Sequence, residues 1–332
     1  MFEVAVIIVL QCALLAAVII FREPKLLIPA VVLGLPFEWL ETRMQDTLGD
    51  SGTAGAIRSL LNPGQAAMAA TVVVAVVRSR HNVRELLPNS ALVVPIVLMF
   101  AVMVAGVGWS DFPTRPANSV LILPLYLGFI FAAPSLIEDR RDIQRIVAVI
   151  LAVAVVLSLI AIAQRLLGVY NWRTVLIQSD AYSYRSNATF ADPNNLARYL
   201  TMSMALASGL ILATGPRRLT VYLAIPALVV GLPAIIATAS RSGWIALLLV
   251  GFVVVLTAPI ARYTKARLVG AAFGGLAIAL VLLFMQGGTD AERVRSLASG
   301  TSAIGQREFL IRVGIEMWKD NPLIGVGSGN YQ

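Results

Sequence analysis

The chain has 332 residues, 58% of them hydrophobic and 13% charged, and a formal charge of +8. A soluble globule is about half apolar and about a quarter charged, so these values, with a mean hydropathy of +0.82, exclude one and indicate an integral membrane protein. Cys12 is the only cysteine and His81 the only histidine, which excludes an intrachain disulfide, a CxxC redox pair and a thiolate metal cluster.

Apolar blocks near the roughly 20 residues that a helix needs to cross a bilayer recur at 2–21, 26–40, 64–77, 91–108, 118–137, 146–167, 196–214, 220–238, 243–260 and 268–285. They predict an all-α, polytopic transmembrane bundle of about ten spans, with residues 1–332 as a single membrane domain. The first block lacks the basic n-region and small-residue cleavage site of a signal peptide, so it is expected to remain as a span. The second is the least regular, because it carries Pro29, Pro36 and Glu38.

The loops alternate in character. Arg22 and Lys25, then Arg78, Arg80 and Arg84, then Arg140, Arg141 and Arg145, then Arg217 and Arg218, then Arg262, Lys265 and Arg267 all fall on one side of the alternation, in short connections. By the positive-inside rule that side is cytoplasmic, and the basic charge reads as topology and headgroup contact rather than as a nucleic-acid surface. The longer polar stretches, 41–63, 168–195 and 287–332, are then extracytoplasmic. Carboxylates within spans are nearly absent, with Glu3 and Glu38 both close to ends, and no repeat relates the two halves. Both observations disfavour a secondary transporter.

Three outer passages carry the polar chemistry. In YRSNATFADPNNLARYL, the run Asp192-Pro193-Asn194-Asn195 reads as a helix start with Asn194 or Asn195 near the cap, flanked by Arg185 and Arg198. This is either a capped helix with solvated arginines or part of an anion-attracting cavity wall, since helix N-termini favour anions. In ATASRSGWIALLL, Arg241 stands in a tight connection between two spans. It is an interface anchor beside Trp244 or it faces a cavity, because a guanidinium in hydrocarbon costs a few kcal/mol. Thr238, Ser240 and Ser242 could satisfy backbone groups of that connection.

The third passage predicts a helix from about Ile304 to Lys319, stopped by Asp320-Asn321-Pro322. Glu308, Arg312, Glu316 and Lys319 share one face, with i,i+4 pairs from Glu308 to Arg312 and from Arg312 to Glu316. Arg307 falls instead on the apolar arc with Leu310, Ile311, Gly314, Ile315, Met317 and Trp318. There it binds an anion, caps the helix, snorkels to headgroups or pairs with a distant carboxylate. The following GVGSGN is a turn or a loose phosphate cradle; it lacks the GK[ST] ending of a P-loop. No His/Cys/Asp/Glu grouping has metal-ligand spacing, so neither a metal nor a cofactor is expected.

These passages, FADPNNLARYL, TASRSGWIALLL and GQREFLIRVGIEMWKDNPLIGVGSGNY, together with the order of spans, resemble the O-antigen ligase and Wzy-type polymerase superfamily of bacterial membrane glycosyltransferases. The resemblance implies a GT-C-like bundle in the bacterial inner membrane. It further implies a donor glycan on undecaprenyl diphosphate and metal-free transfer to a glycan or lipid acceptor at the periplasmic face. Arg241 and Arg307 match the family's arginines around the diphosphate, with Arg185, Asn195 and Arg198 as further candidates for binding substrate. The family places a histidine further along the same outer loop, followed by closing spans, whereas this sequence stops at Gln332; a fragment is therefore expected. Asp192 or Glu308 could in principle deprotonate an acceptor hydroxyl, but the spacing commits Glu308 to Arg312 and neither is assigned as the base. A transporter or flippase of lipid-linked saccharides and a structural partner in envelope assembly are the rival readings.

Overall fold

The computed structural model describes residues 23–37, 62–79, 93–110, 117–169, 185–214, 220–257, 303–322 and 325–327. Among these residues every regular element is helical. The expected spans 2–21 and 268–285, and with them Cys12, lie outside the described residues, as do His81 and Glu38. In chain order the helices are α1 (Leu27–Gly34), α2 (Pro63–Arg78), α3 (Val93–Ala105), α4 (Ala117–Ala132), α5 (Arg140–Leu167), α6 (Pro193–Thr214), α7 (Ile225–Ala237), α8 (Arg241–Thr257) and α9 (Ala303–Asp320). Short 3₁₀ turns flank α1 and follow α4, and a π-turn at Thr220–Ala224 leads into α7.

The other expected spans each coincide with one of these helices, but ten membrane crossings do not follow from them. Among the described residues α5, with 28 residues, is the one helix both long and apolar enough to cross a bilayer, while α1, α2, α3, α4, α7 and α8 are apolar but shorter. The difference at α5 is one of boundary. Its helix starts at Arg140, ahead of the apolar block at 146, because Asp139 caps it: Asp139 Oδ1 accepts the amides of Arg141 at 2.8 Å and Asp142 at 2.9 Å. Those bonds, led by the Asp142 amide, hold the Asp139 carboxyl below its usual range.

The chain divides into two compact units, residues 1–146 with 306–332, and residues 147–305. In the first unit, Asn62 caps α2 by accepting the Gly64 amide at 2.9 Å, with Pro63 at the first helical position. Gly34 and Gly64 bring α1 and α2 into backbone contact. Ala30, Val31, Ala67 and Met68 fill the seam below, covered by Leu125 and Phe129 of α4. Small residues at a helix crossing are what apolar surroundings demand, since close packing replaces the hydrophobic drive there. At the other end of the same helices, Lys25 Nζ lies 3.5 Å from Glu23, 3.8 Å from Glu138 and 3.9 Å from Asp142. Arg78 reaches Glu138 at 3.9 Å and Arg145 reaches Asp142 at 3.3 Å. Three basic residues from separate connections thus gather at one end.

The second unit is built around α6. Leu196, Leu200 and Met204 pack between Ala154, Leu157 and Ala161 of α5 and Ala234 and Ile235 of α7. Gly243 lets α8 approach α6, where a Cβ would fall 2.8 Å from that of Ala197. Two hydroxyls inside this packing return to their own helix, Thr201 to the Ala197 carbonyl and Ser203 to that of Tyr199, both at 2.8 Å, while the Tyr199 hydroxyl crosses to the Ile150 carbonyl of α5 at 3.1 Å.

Candidate functional site

The polar end of the second unit starts from the cap of α6. Asp192, rather than Asn194 or Asn195, is the capping residue: its Oδ1 accepts the Asn194 amide at 2.7 Å, and its carbonyl accepts the amides of Asn195 at 3.0 Å and Leu196 at 3.3 Å. Pro193, having no N–H and a helical φ, takes the first position. This leaves the Asn194 side chain free for other work.

That work is to join two loops. Arg185 is 6% exposed, and its Nε donates to the Thr238 carbonyl and its Nη2 to Asn194 Oδ1, both at 2.9 Å. The same Asn194 oxygen accepts from Ser240 Oγ at 2.9 Å. Beside them, the Ser186 amide donates to the Ala237 carbonyl at 2.9 Å. Ser240 in turn caps α8, its Oγ accepting the Gly243 amide at 3.3 Å and its carbonyl the Trp244 amide at 3.0 Å. Arg241 is the first residue of α8 and is partly buried. Its backbone is therefore fixed by a chain running from the Arg185 guanidinium through Asn194 and Ser240. Replacing Asn194 with Ala removes an acceptor from a buried guanidinium and from a buried hydroxyl, each such loss costing about 1–3 kcal/mol. The thermal midpoint of the detergent-solubilised protein should fall by several degrees for Asn194→Ala and much less for Asn194→Asp, which keeps the oxygen.

The loop before α6 is tied down from α5. Gln164 Oε1 accepts the amides of Asn187 at 3.1 Å and Ala188 at 2.8 Å, and its Nε2 donates to the Ala188 carbonyl at 3.1 Å. Ala188 is thereby held at φ +47°, and Ala239, next to Ser240, at φ +48°. Left-handed backbone costs a non-glycine residue roughly 1–2 kcal/mol; two such residues flank the Arg185 strap, and strained backbone gathers where function fixes geometry. Nothing in the sequence singles out Gln164, an amide beside Arg165 near the end of a largely apolar block. The remaining candidates of this end are a local pair, with exposed Arg198 donating from Nη1 to Asn195 Oδ1 at 3.3 Å.

Arg307 falls in α9, in the first unit; its side chain lies outside the described residues. On the charged face Arg312 binds Glu308 at 2.6 Å, as the spacing predicts, while Glu316 binds Lys319 at 2.7 Å rather than Arg312. Asp192 and Glu308 are both engaged, the first in the α6 cap and the second by Arg312. Of the described glycines beyond α9, one makes a turn and one a close approach. Gly325 has φ +68° and its amide closes a turn on the Asn321 carbonyl at 2.9 Å. Gly327 has φ +90°, and a Cβ there would lie 2.8 Å from Ser110 Cα and 2.9 Å from the Gly106 carbonyl oxygen. Among the described residues no three His, Cys, Asp or Glu side chains are grouped to hold a metal ion.

Both Arg241 and Arg307 lie in the part of the chain that a known family covers. Residues 226–332 match the O-antigen ligase family. That match runs from α7 through the glycines after α9. No curated protein and no solved structure matches the chain significantly.

Proposed function

We propose that the chain transfers a glycan carried on undecaprenyl diphosphate to a glycan or lipid acceptor at the periplasmic face of the bacterial inner membrane. The observation that carries this reading is the O-antigen ligase match across the segment that begins α8 with Arg241 and includes Arg307. In transfer, an acceptor hydroxyl bonds to the anomeric carbon, the glycosyl–phosphate bond breaks with its electrons going to the diphosphate, and the hydroxyl proton passes to a base. Charge grows on the departing diphosphate. Arg241 and Arg307 would meet it with guanidinium groups, which stay charged and can bind two oxygens at once. Arg241 stands on the first turn of α8, where the helix dipole adds to its positive field.

The network below Arg241 supports this role. A residue that stabilises a transition state must already be in place when the charge develops, and Ser240, Asn194 and Arg185 fix its backbone by joining two loops. Arg185 would then position rather than touch the substrate, with Asn195 and Arg198 on the neighbouring turn of α6 lining the approach. The assignment of faces agrees with the gathering of Lys25, Arg78 and Arg145 at one end of the first unit, as a cytoplasmic rim would require.

Purified protein in nanodiscs, given a lipid-linked donor and an acceptor, should consume the donor, release undecaprenyl diphosphate and lengthen or glycosylate the acceptor. A flippase would move the donor between leaflets without consuming it, and a structural partner would do neither. Either of those results rejects the transfer reading.

A further inference from the structure

The apolar side of α9 is poorly used by the protein. Ile311 and Trp318 are each 62% exposed and Ile315 46%, and these three lie within about 60° of one another on the helix circumference. Val313, Gly314 and Met317 are half-buried, marking the side turned toward protein. Among the described elements α9 packs extensively against no other helix. The charged side needs no partner, because Glu308–Arg312 and Glu316–Lys319 neutralise one another within the helix.

We propose that α9 lies in the membrane–water interface with Ile311, Ile315 and Trp318 seated against lipid. What selects a bilayer as the occupant is where α9 ends. The turn from Asn321 to Gly325 is closed by a 2.9 Å hydrogen bond, and two residues later Gly327 is packed on residues 106–110, directly after α3. At about 3.5 Å per residue, the last turn of α9 is kept within about 10–15 Å of the end of α3. That helix is uniformly apolar and exposes Val94, Leu98, Met99 and Val102, while Trp109 just beyond it is 40% exposed. An apolar exposed helix closing on an exposed tryptophan marks the hydrocarbon boundary and its aromatic belt. An amphipathic helix tethered there, with an aromatic residue at one end of its apolar stripe, has the chemistry of an interfacial helix. The inference rests on the chain being a membrane protein and is independent of the transfer reaction.

The test uses the single cysteine. In a Cys12→Ser background, Ile315→Cys and Glu316→Cys are each spin-labelled, and the full chain is placed in phospholipid nanodiscs. The Ile315→Cys label should collide several-fold more often with oxygen than with a water-soluble nickel chelate, and the Glu316→Cys label, about 100° further round the helix, should show the reverse. A second measurement leaves the stripe intact. Brominated lipids should quench the parent protein's fluorescence more than that of Trp318→Phe. Equal nickel access at Ile315→Cys and Glu316→Cys overturns the proposal by leaving the stripe in water. A label at Ile315→Cys shielded from both reagents also overturns it, by assigning the stripe to protein, either a partner or a second copy. Unchanged quenching in Trp318→Phe does so as well.

Discussion

Alanine at Arg241 is expected to lower glycan transfer at least about 100-fold, with membrane insertion and thermal midpoint close to the parent. Loss of one preorganised donor to a developing oxyanion costs about 10²–10³ in turnover, and a diphosphate leaving group concentrates that charge. The backbone at Arg241 stays held without its side chain, because the cap of α8 is made by Ser240 and the strap by Arg185. Arg241→Lys should recover a minor part of the rate, since an ammonium keeps the charge and loses the two-point grip. Arg307→Ala should behave alike. If the two guanidinium groups hold one diphosphate, the double variant should lose less than the sum of the single losses, because groups acting on one charge are not additive. Arg198→Ala supplies the contrast: an exposed arginine that binds Asn195, three residues back on its own helix, should change transfer only a few-fold. Initial rates with saturating donor and acceptor decide the matter, and parent-like transfer by Arg241→Ala or Arg307→Ala ends the assigned role of that residue.

What the sequence discloses of this arrangement is local. The tail helix, expected from Ile304 to Lys319, runs Ala303–Asp320 because its start, its charge pairs and its Asn-Pro stop are all neighbours in the chain. The face shared by Glu308, Arg312, Glu316 and Lys319 is equally legible. Which carboxylate takes which cation is not, since Glu316 has Arg312 and Lys319 at competing i−4 and i+3 positions. At the start of α6 the sequence offers three capping side chains in Asp192-Pro193-Asn194-Asn195. The deciding fact is Pro193, which cannot donate and so makes the residue before it the cap. The burial of Arg185 has no local signal whatever. Its acceptors are Asn194, nine residues away, and the carbonyl of Thr238, 53 residues away, and an arginine followed by Ser-Asn reads as a solvated loop until those segments meet. For the same reason the sequence can assign Arg241 to a connection without showing what fixes it there.

Gly34→Ala is expected to be the most damaging single-methyl change among the described glycines. A Cβ at Gly34 would overlap the Gly64 amide nitrogen and fall 2.5 Å from the Pro63 carbonyl carbon and 2.6 Å from Gly64 Cα; one at Gly64 would fall 2.9 Å from the Leu35 amide nitrogen. Every one of these neighbours is backbone, so no side chain can rotate away, and α1 must separate from α2. Separation opens the seam of Ala30, Val31, Ala67 and Met68, which coheres by dispersion at contact distance and forfeits much of it over a gap of about 1 Å. Overpacking a core costs about 1–3 kcal/mol when side chains can adjust, and a backbone-on-backbone clash should reach or exceed the top of that range. Gly251→Ala and Gly209→Ala are the matched controls. Both sit within helices where a Cβ meets nothing within 4 Å, so the better helix propensity of alanine should leave them neutral or stabilised by up to about 1 kcal/mol. Thermal midpoints in one detergent, read by loss of the monodisperse size-exclusion peak, compare the three directly. The close crossing of α1 and α2 is wrong if Gly34→Ala melts with the controls, and right if it alone falls by many degrees while Gly34→Val fails to accumulate as a folded species.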